Sequence, residues 1–275
     1  MGNILISLQL GSLVQCQGDD RNALFSHEHE NRPDRGRQVS QSMKLHVGTS
    51  GYSYKEWKGS FYPKDLAAAD MLPFYAKSFS TVEINNTFYR MPSEKILLSW
   101  GSQVSDGFAF VLKAPRRITH IKKLKDVGDD VAYLLKTATA LGKKRGPLLF
   151  QLPPFLRKNL PVLRDFLTLL SPDAQPALEF RHQSWFDDEV FAVLREHNAA
   201  LCLAEAENDL TIPFVATAPF GYVRLRRPDY SDAELSDWTK RIAEQPWKEA
   251  YVFFKHEEAG KGPQFAARFL QLAGS

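Results

Sequence analysis

The sequence predicts a single (β/α)8 barrel, a TIM-like fold of the α/β class. After residue 43, short β-rich runs alternate with amphipathic stretches, and about eight strand-like runs occur, nearly all followed by a helical pattern. Repeated βα units give a parallel sheet, and eight of them suffice to close it into a barrel. The length of 275 residues is also usual for one barrel. A doubly wound open sheet is the alternative fold that the same alternation of strands and helices allows.

The predicted strands are short apolar runs, several of them with alternating polar residues. They cover residues 45–49, 81–85, 108–113, 148–152, 177–181, 199–203, 221–225 and 250–255. Pro153 and Pro154 end the fourth strand, because proline supplies no N–H to a strand ladder. Cys202 lies in the apolar sixth strand, so we expect it to be a small core residue.

The predicted helices carry apolar residues at helical spacing. They cover residues 66–79, 94–100, 127–141, 160–170, 185–197, 231–244 and 262–272. Ser93 is a suitable N-cap for the second helix, and Gly142 is a suitable end for the third. Segment 206–219 contains Thr, Pro and Asn with little helical periodicity. We therefore predict that the helix after the sixth strand is short or missing.

The beginning of the chain differs in composition from the rest. Segment 17–42 is rich in Asp, Glu, Arg, Asn, Gln and Ser, so it cannot bury enough apolar surface to offset its ordering entropy. We predict a disordered extension over residues 1–42 and a barrel domain over residues 43–275, and we hypothesise that Met43 is the natural start. The apolar stretch 4–14 lacks the basic flank and small-residue cleavage site of a signal peptide.

The bulk composition narrows the class of protein. The net charge of +3 is too small for an obligate nucleic-acid binder, so only local clustering of basic residues would argue for one. The two cysteines, Cys16 and Cys202, have neither disulfide-framework nor metal spacing, which fits a reducing compartment. No apolar run reaches the length of a membrane-spanning helix. We expect a cytoplasmic protein without membrane contact, and the oligomeric state stays open.

Polar and charged residues recur where the predicted strands end. In (β/α)8 barrels the functional groups sit at the C-terminal ends of the strands. Side chains alternate along a strand with period two, and a charge inside a barrel is costly unless it is paired or faces a wet cavity. The residues concerned are Ser50, Tyr52, Glu83, Asn85, Lys113, Gln151, Glu179, Arg181, His182, Glu205, Arg224, Arg226, Lys255 and His256. One common wet mouth accounts for the repetition, although any single member is also explained by an ion pair or a solvated rim.

Common catalytic and phosphate-binding signatures are missing from the sequence. There is no P-loop, no GxSxG elbow, no HExxH and no GxGxxG after a strand. Basic stretches occur at residues 116–117, 122–125 and 143–145, and such runs are usually solvated faces. They are nevertheless the main sequence support for contact with nucleic acid.

Several longer motifs resemble those of one known family, the YecE-like family or domain of unknown function 72. The similar segments are Gly48–Tyr54 with Trp57, Gly59 and Phe61–Pro63; Val82–Asn85 with Thr87–Arg90; Phe108–Lys113; Ile118–His120; Gln151–Pro154; and Glu179–His182 with Ser184 and Trp185. The resemblance spans about residues 44–271. It implies a (β/α)8 barrel and supports Met43 as the start, and it supplies no reaction.

Three positions depart from the family pattern in the second half of the chain. Arg226 stands in the seventh strand where the family has His, and Lys255 stands in the eighth where the family has Asn. Glu205 stands after the sixth strand where Asp is expected. The resemblance thus implies a divergent pocket on this side of the mouth.

The leading hypothesis is an enzyme acting on a small polar, anionic substrate. Glu179 and Glu83 are predicted to serve as general acid and base, because burial and neighbouring cations can tune such carboxylates. His120 and His182 are secondary candidates for proton transfer. The predicted substrate-binding residues are the cations Lys113, Arg181 and Arg224, with Ser50, Tyr52, Asn85, Tyr89, Gln151 and Trp185.

Three alternatives stay open at this point. No motif requires a cofactor, but Glu83, Glu179, Glu205 and His182 offer oxygen and nitrogen ligands for a divalent metal. A non-catalytic barrel that binds nucleic acid or another ligand is the second. A barrel that has lost its activity and keeps a scaffold role is the third.

Overall fold

The computed structural model describes residues 43–171, 173–205 and 210–274, and its eight parallel strands form a closed barrel. The strands are β1 Lys44–Ser50, β2 Thr81–Ile84, β3 Ala109–Lys113, β4 Arg145–Gln151, β5 Pro176–Glu179, β6 Ala200–Ala204, β7 Phe220–Leu225 and β8 Glu249–Phe254. Each strand pairs with its neighbours in sequence order, and β1 closes on β8 with His46 opposite Tyr251. The predicted barrel is confirmed, and the open sheet is wrong. The prediction of disorder in residues 1–42 lies outside the described residues.

Seven α-helices accompany the strands in the described part of the chain. They are α1 Met71–Tyr75, α2 Glu94–Ser102, α3 Gly128–Ala138, α4 Leu160–Thr168, α5 Asp188–Glu196, α6 Asp232–Ala243 and α7 Lys261–Leu272. Ser93 is at the predicted N-cap position of α2, but its side chain forms no capping hydrogen bond. The helix predicted to end at Gly142 ends at Ala138, and Gly142, with a positive φ of 53°, lies inside the 3-10 turn Thr139–Lys144 that follows. No helix occurs in residues 210–219 before β7, as predicted for the described part of that connection.

The prediction for the first helix was too long. The structure has a 3-10 turn at Ala68–Asp70 followed by only five helical residues. Pro73 has no N–H to donate to a preceding turn, so a regular helix cannot run through it from residue 66. Similarly, the segment predicted as one helix over 185–197 divides into a 3-10 turn at Gln183–Trp185 and α5, which begins where the Asp187 side chain accepts a hydrogen bond from the Val190 N–H.

Alternation along the strands separates two apolar layers. One set of side chains packs between the strands and the surrounding helices. The other set points into the barrel and includes Ala109, Val111, Leu149, Cys202 and Phe253, so the burial predicted for Cys202 is confirmed. The interior is therefore filled with side chains up to the strand ends, as in a packed core. Within the described residues, no helix is long and apolar enough to cross a membrane.

Gly48 provides a sharp test of the packing between β1 and β2. An added Cβ at this position would lie 2.1 Å from the Thr81 carbonyl oxygen and 2.8 Å from the Tyr75 hydroxyl. We expect Gly48→Ala to lower the free energy of unfolding by about 1–3 kcal/mol or more, measured by urea denaturation. The matched control is Gly101→Ala in α2, where a Cβ meets no atom within 4 Å. This control should be stabilising by about 0.4–1 kcal/mol, and equal effects of the two changes would contradict the packing described.

Candidate functional site

The C-terminal mouth of the barrel holds a connected set of polar side chains. Six strands contribute inward-facing residues near their ends: Ser50, Glu83, Lys113, Gln151, Glu179 and Arg224. Each of the six had been predicted as a site residue, and hydrogen bonds join all of them. We call this set the mouth network.

Arg224 is the centre of the mouth network. Its Nη2 donates to Glu83 Oε1 at 2.8 Å, and its Nη1 donates to Glu179 Oε2 at 2.5 Å. The exposed fraction of the Arg224 side chain is 2%, and both glutamates are fully buried. One guanidinium therefore bridges two carboxylates from β2 and β5, which are three strands apart in the barrel.

Glu83 has further partners on both of its oxygens. The Ser50 hydroxyl donates to Oε1 at 2.6 Å, and the Tyr222 hydroxyl donates to Oε2 at 2.6 Å. The sequence analysis missed Tyr222. Its spacing of two from Arg224 on β7 puts both side chains on the same face, so the period of the strand was the available signal.

Glu179 connects the centre of the network to the rim. Its Oε1 accepts hydrogen bonds from Gln151 Nε2 at 2.8 Å and from Arg181 Nε at 3.0 Å, and Arg226 Nη2 lies 3.5 Å away. The side chain of Arg181 is 33% exposed, while that of Arg226 is 9% exposed. Both cations therefore reach from the buried carboxylate toward the opening of the barrel.

The two glutamates are held in their ionised form. Burial by itself would raise the pKa of Glu83, but Arg224 and the hydrogen bonds from Ser50 and Tyr222 outweigh it, so the pKa is lowered. For Glu179, burial is likewise outweighed by Arg224, Arg226 and Arg181, and its pKa falls well below the usual range. This environment does not favour the general acid and base roles predicted for these residues. It suits carboxylates that hold cations in position.

Lys113 has an unusual environment for a lysine. Its Nζ donates to Gln151 Oε1 at 2.8 Å and lies 4.3 Å from the centre of the Phe88 ring. Burial lowers its pKa to about 8, with a further contribution from Arg224, although Glu83 and Glu179 act in the opposite direction. A lysine of this kind changes protonation state close to neutral pH.

His120 lies on the same side of the mouth, against the Phe88 ring. The ring centroids of His120 and Phe88 are 4.9 Å apart in an edge-on arrangement, and Nδ1 of His120 is 2.9 Å from the Thr119 hydroxyl. Burial lowers the pKa of His120, and Lys113 and Arg181 lower it further. The imidazole is therefore neutral at neutral pH and able to accept a proton.

The other predicted site residues lie outside the mouth network. Tyr89 is 75% exposed, and Tyr52 is half-buried beside Tyr75. His182 caps a 3-10 turn, since its Nδ1 accepts from the Ser184 N–H at 3.1 Å.

Trp185 is buried against Phe180 and donates to the Leu156 carbonyl at 2.7 Å, so its contacts hold the segment that follows β4. Asn85 is half-buried, and its Oδ1 has no partner among the described residues.

The three departures from the family pattern have different consequences. Arg226 adds a cation near Glu179, and its Nε also donates to the Glu205 carbonyl at 3.0 Å. The Glu205 carboxylate accepts a hydrogen bond from Tyr230, so it faces away from the centre of the network. Lys255 is exposed. Of the three, Arg226 is the residue that changes the charge of the mouth.

The predicted metal-ligand set is not assembled in the described residues. No group of three or more His, Cys, Asp or Glu side chains lies together there as a metal site. The oxygens of Glu83 and Glu179 instead accept hydrogen bonds from guanidinium, hydroxyl and amide groups. The chemistry of the donor set around these two carboxylates fits cation pairing within the protein.

Comparison with known proteins gives consistent results over the barrel. The sequence profile of the family described as "Protein of unknown function DUF72" matches residues 46–275. The UPF0759 protein YunF of Bacillus subtilis (strain 168) is 22% identical over 272 residues, 83% of this chain and 94% of YunF. The UPF0759 protein YecE of Escherichia coli (strain K12) is 30% identical over 143 residues, 52% of this chain and 50% of YecE, so the chain spans about half the length of that relative.

Two solved structures share the fold. The crystal structure of a DUF72 family protein from Thermotoga maritima aligns with a TM-score of 0.73 and 26% identity, covering 84% of this chain and all of that one. That of a DUF72 family protein from Enterococcus faecalis aligns with a TM-score of 0.70 and 18% identity, covering 84% of this chain and 96% of that one.

Removal of Arg224 should expose how much the mouth network depends on it. Arg224→Met leaves two buried carboxylates short of a cation, so we expect the free energy of unfolding at pH 7 to fall by about 3–5 kcal/mol. Without Arg224, burial dominates and the pKa of Glu83 should rise above its unfolded value. The variant should then gain stability as the pH falls from 7 to 5, whereas the wild type, with lowered pKa values, should lose stability only as the pH falls below about 4.

Urea denaturation at several pH values measures both effects. In the double variant Arg224→Met with Glu83→Gln, the carboxylate that takes up the proton is gone, so most of the gain between pH 7 and pH 5 should disappear. A loss below about 1 kcal/mol in Arg224→Met at pH 7 would contradict the central place of this residue.

Proposed function

This chain belongs to the DUF72 family, and from the charges at its barrel mouth we propose that it is an enzyme acting on a small anionic substrate. The observation that carries the proposal is the imbalance of charge in the mouth network and its direct contacts. Among the described residues, four cations, Lys113, Arg181, Arg224 and Arg226, surround the two carboxylates Glu83 and Glu179. Two positive charges are therefore unbalanced within this set.

The position of the cations indicates which of them would contact a substrate. Arg224 is buried and pairs with both carboxylates, so its part is to hold the network together. Among the described residues, Arg181 pairs through Nε alone, and it is partly exposed, which supports binding of a carboxylate or phosphate through its terminal nitrogens. Arg226 and Lys113 would add charge on either side of it. This arrangement moves the anion-binding role from Arg224, where the sequence had suggested it, to Arg226.

Proton transfer falls to Lys113 and His120 in this proposal. General acid–base catalysis is most effective for groups whose pKa lies near the working pH. The pKa of Lys113 is about 8, which meets this condition, while His120, whose pKa is lowered by burial and by Lys113, is neutral and can accept a proton. Glu83 and Glu179 stay ionised and orient the cations. The reaction would be of the hydrolase, lyase or isomerase kind.

A specific observation favours a second candidate function, the binding of single-stranded nucleic acid. Beside the mouth, a groove of about 430 Å³ is lined by Lys123, Lys125, Phe155 and Arg157. Phe155 is 66% exposed, and Lys123 Nζ lies 5.2 Å from the centre of its ring. Aromatic platforms next to cations are the means by which proteins hold unpaired bases without reading sequence.

A thermal-shift screen of the full chain tests the leading proposal. The panel contains inorganic phosphate, sugar phosphates, carboxylic acids, neutral sugars and short oligonucleotides. We expect stabilisation by one class of small anion, because a ligand at 100 times its Kd adds about 2.7 kcal/mol. Arg181→Ala should weaken this binding by roughly 10- to 100-fold, the loss expected for one charged hydrogen-bonding partner.

Arg164→Ala is the matched control, because Arg164 forms an exposed ion pair with Glu196 outside the mouth network. Binding should be unchanged in this variant. Stabilisation by neutral sugars alone would contradict an anion site. Binding of oligonucleotides that survives Arg181→Ala and is lost in Phe155→Ala would favour the second candidate.

A further inference from the structure

Lys113 has the surroundings of a nucleophile. We propose that its amine forms an imine with the carbonyl carbon of the substrate, which would make the substrate an anionic aldehyde or ketone. The inference rests on the proposed function for the anion that Arg181 and Arg226 bind. It adds the covalent step and the class of substrate that such a step requires.

The partner of the Lys113 amine distinguishes it from the ion-paired lysines of the protein. Lys158 pairs with Asp187 and Glu189, and Lys122 pairs with Asp130. A carboxylate partner stabilises the protonated amine and so opposes nucleophilic attack. Lys113 donates instead to the neutral amide oxygen of Gln151. A neutral acceptor orients the amine and adds no negative charge that would keep it protonated.

Burial and the neighbouring cations around Lys113 also favour its neutral form. Burial and the nearby Arg224 bring the pKa of Lys113 to about 8, so about a tenth of the amine is neutral at pH 7. The Phe88 ring covers one side of the amine, with Nζ 4.3 Å from its centre. Partial desolvation next to other cations is a recognised way to make a lysine nucleophilic.

The chemistry needs no co-reactant beyond the substrate. The neutral amine attacks the carbonyl carbon, a C–N bond forms, and the carbonyl oxygen takes up a proton to give a carbinolamine. The carbinolamine nitrogen loses a proton, the hydroxyl gains one and leaves as water, and a protonated imine remains, which gives the neutral imine when it loses its remaining N–H proton. His120, whose ring contacts the same Phe88 ring as Lys113, would carry the proton between nitrogen and oxygen. Overall, the amine and the carbonyl give the imine and one water.

Arg181 and Arg226 would place the carbonyl group for this attack. A carboxylate or phosphate held by these two cations leaves the adjoining carbonyl carbon on the side of the mouth where Lys113 lies, since both arginines and Gln151 contact the same oxygen of Glu179. The protonated imine then withdraws electrons from the neighbouring carbon. This favours loss of a proton or of a carbon substituent there.

Reductive trapping tests the proposal on the full chain. The protein is incubated with glyoxylate, a small anionic aldehyde, or with acetaldehyde, which is neutral, in the presence of cyanoborohydride, and modified lysines are mapped by mass spectrometry. We expect glyoxylate to modify Lys113 at least about tenfold faster than Lys158 at pH 7.5, because hydrogen bonds to Asp187 and Glu189 raise the pKa of Lys158. The rate at Lys113 should rise with pH to a plateau above 8.

Three variants separate the outcomes. Lys113→Arg should remove the fast modification, and Lys158→Arg should leave it unchanged. Arg181→Ala should slow modification by glyoxylate about tenfold and modification by acetaldehyde much less, because Arg181 makes the smallest of the contributions that lower the pKa of Lys113. If both aldehydes label Lys113 fast and Arg181→Ala does not slow the labelling by glyoxylate, the result would support the nucleophile and contradict the anion site. Anion binding in the thermal-shift screen, with Lys113 labelled no faster than Lys158, would overturn the imine and leave the anion site standing.

Discussion

The pairing of Arg224 with Glu83 and Glu179 is the interaction on which the mouth of this barrel depends. Charges in a packed barrel interior are costly unless each has a partner. Here one buried guanidinium satisfies two buried carboxylates, and hydroxyl and amide donors occupy the remaining oxygens. The apolar interior ends below this layer. The polar network thus separates the apolar core, which stabilises the fold, from the opening of the barrel.

The buried network also fixes the directions of the more exposed side chains at the mouth. Glu179 is the connecting residue, because the same oxygen contacts Gln151, Arg181 and Arg226. Its ionised state, maintained by Arg224, fixes the directions of all three. Side chains held by buried partners lose little further freedom when a ligand arrives, which is the arrangement that catalytic sites require.

Much of the fold followed from sequence, because eight periodic βα units allow few other topologies. The mouth residues on the strands were also predictable, since strand ends and a period of two assign them to one face. Their partners were not: Arg224 pairs with Glu83 across 141 positions of the chain and with Glu179 across 45. Such pairing depends on the closure of the barrel. The same closure brings up the cations that hold the glutamates ionised. These neighbours could not be known from the sequence, so the prediction of an acid–base role for the glutamates did not take them into account.

The orientation of the Gln151 amide has a consequence of its own. Its nitrogen donates to Glu179, so its oxygen must face Lys113. An amide has a direction but no net charge, and its position between Glu179 and Lys113 means that the carboxylate and the amine form no direct ion pair. A glutamate of nearly the same shape at this position would place a negative charge against the amine, raise the pKa of Lys113 and so oppose the nucleophilic role that we propose for it. The protonation state of the amine would then depend on a single atom, nitrogen or oxygen, in the side chain at position 151.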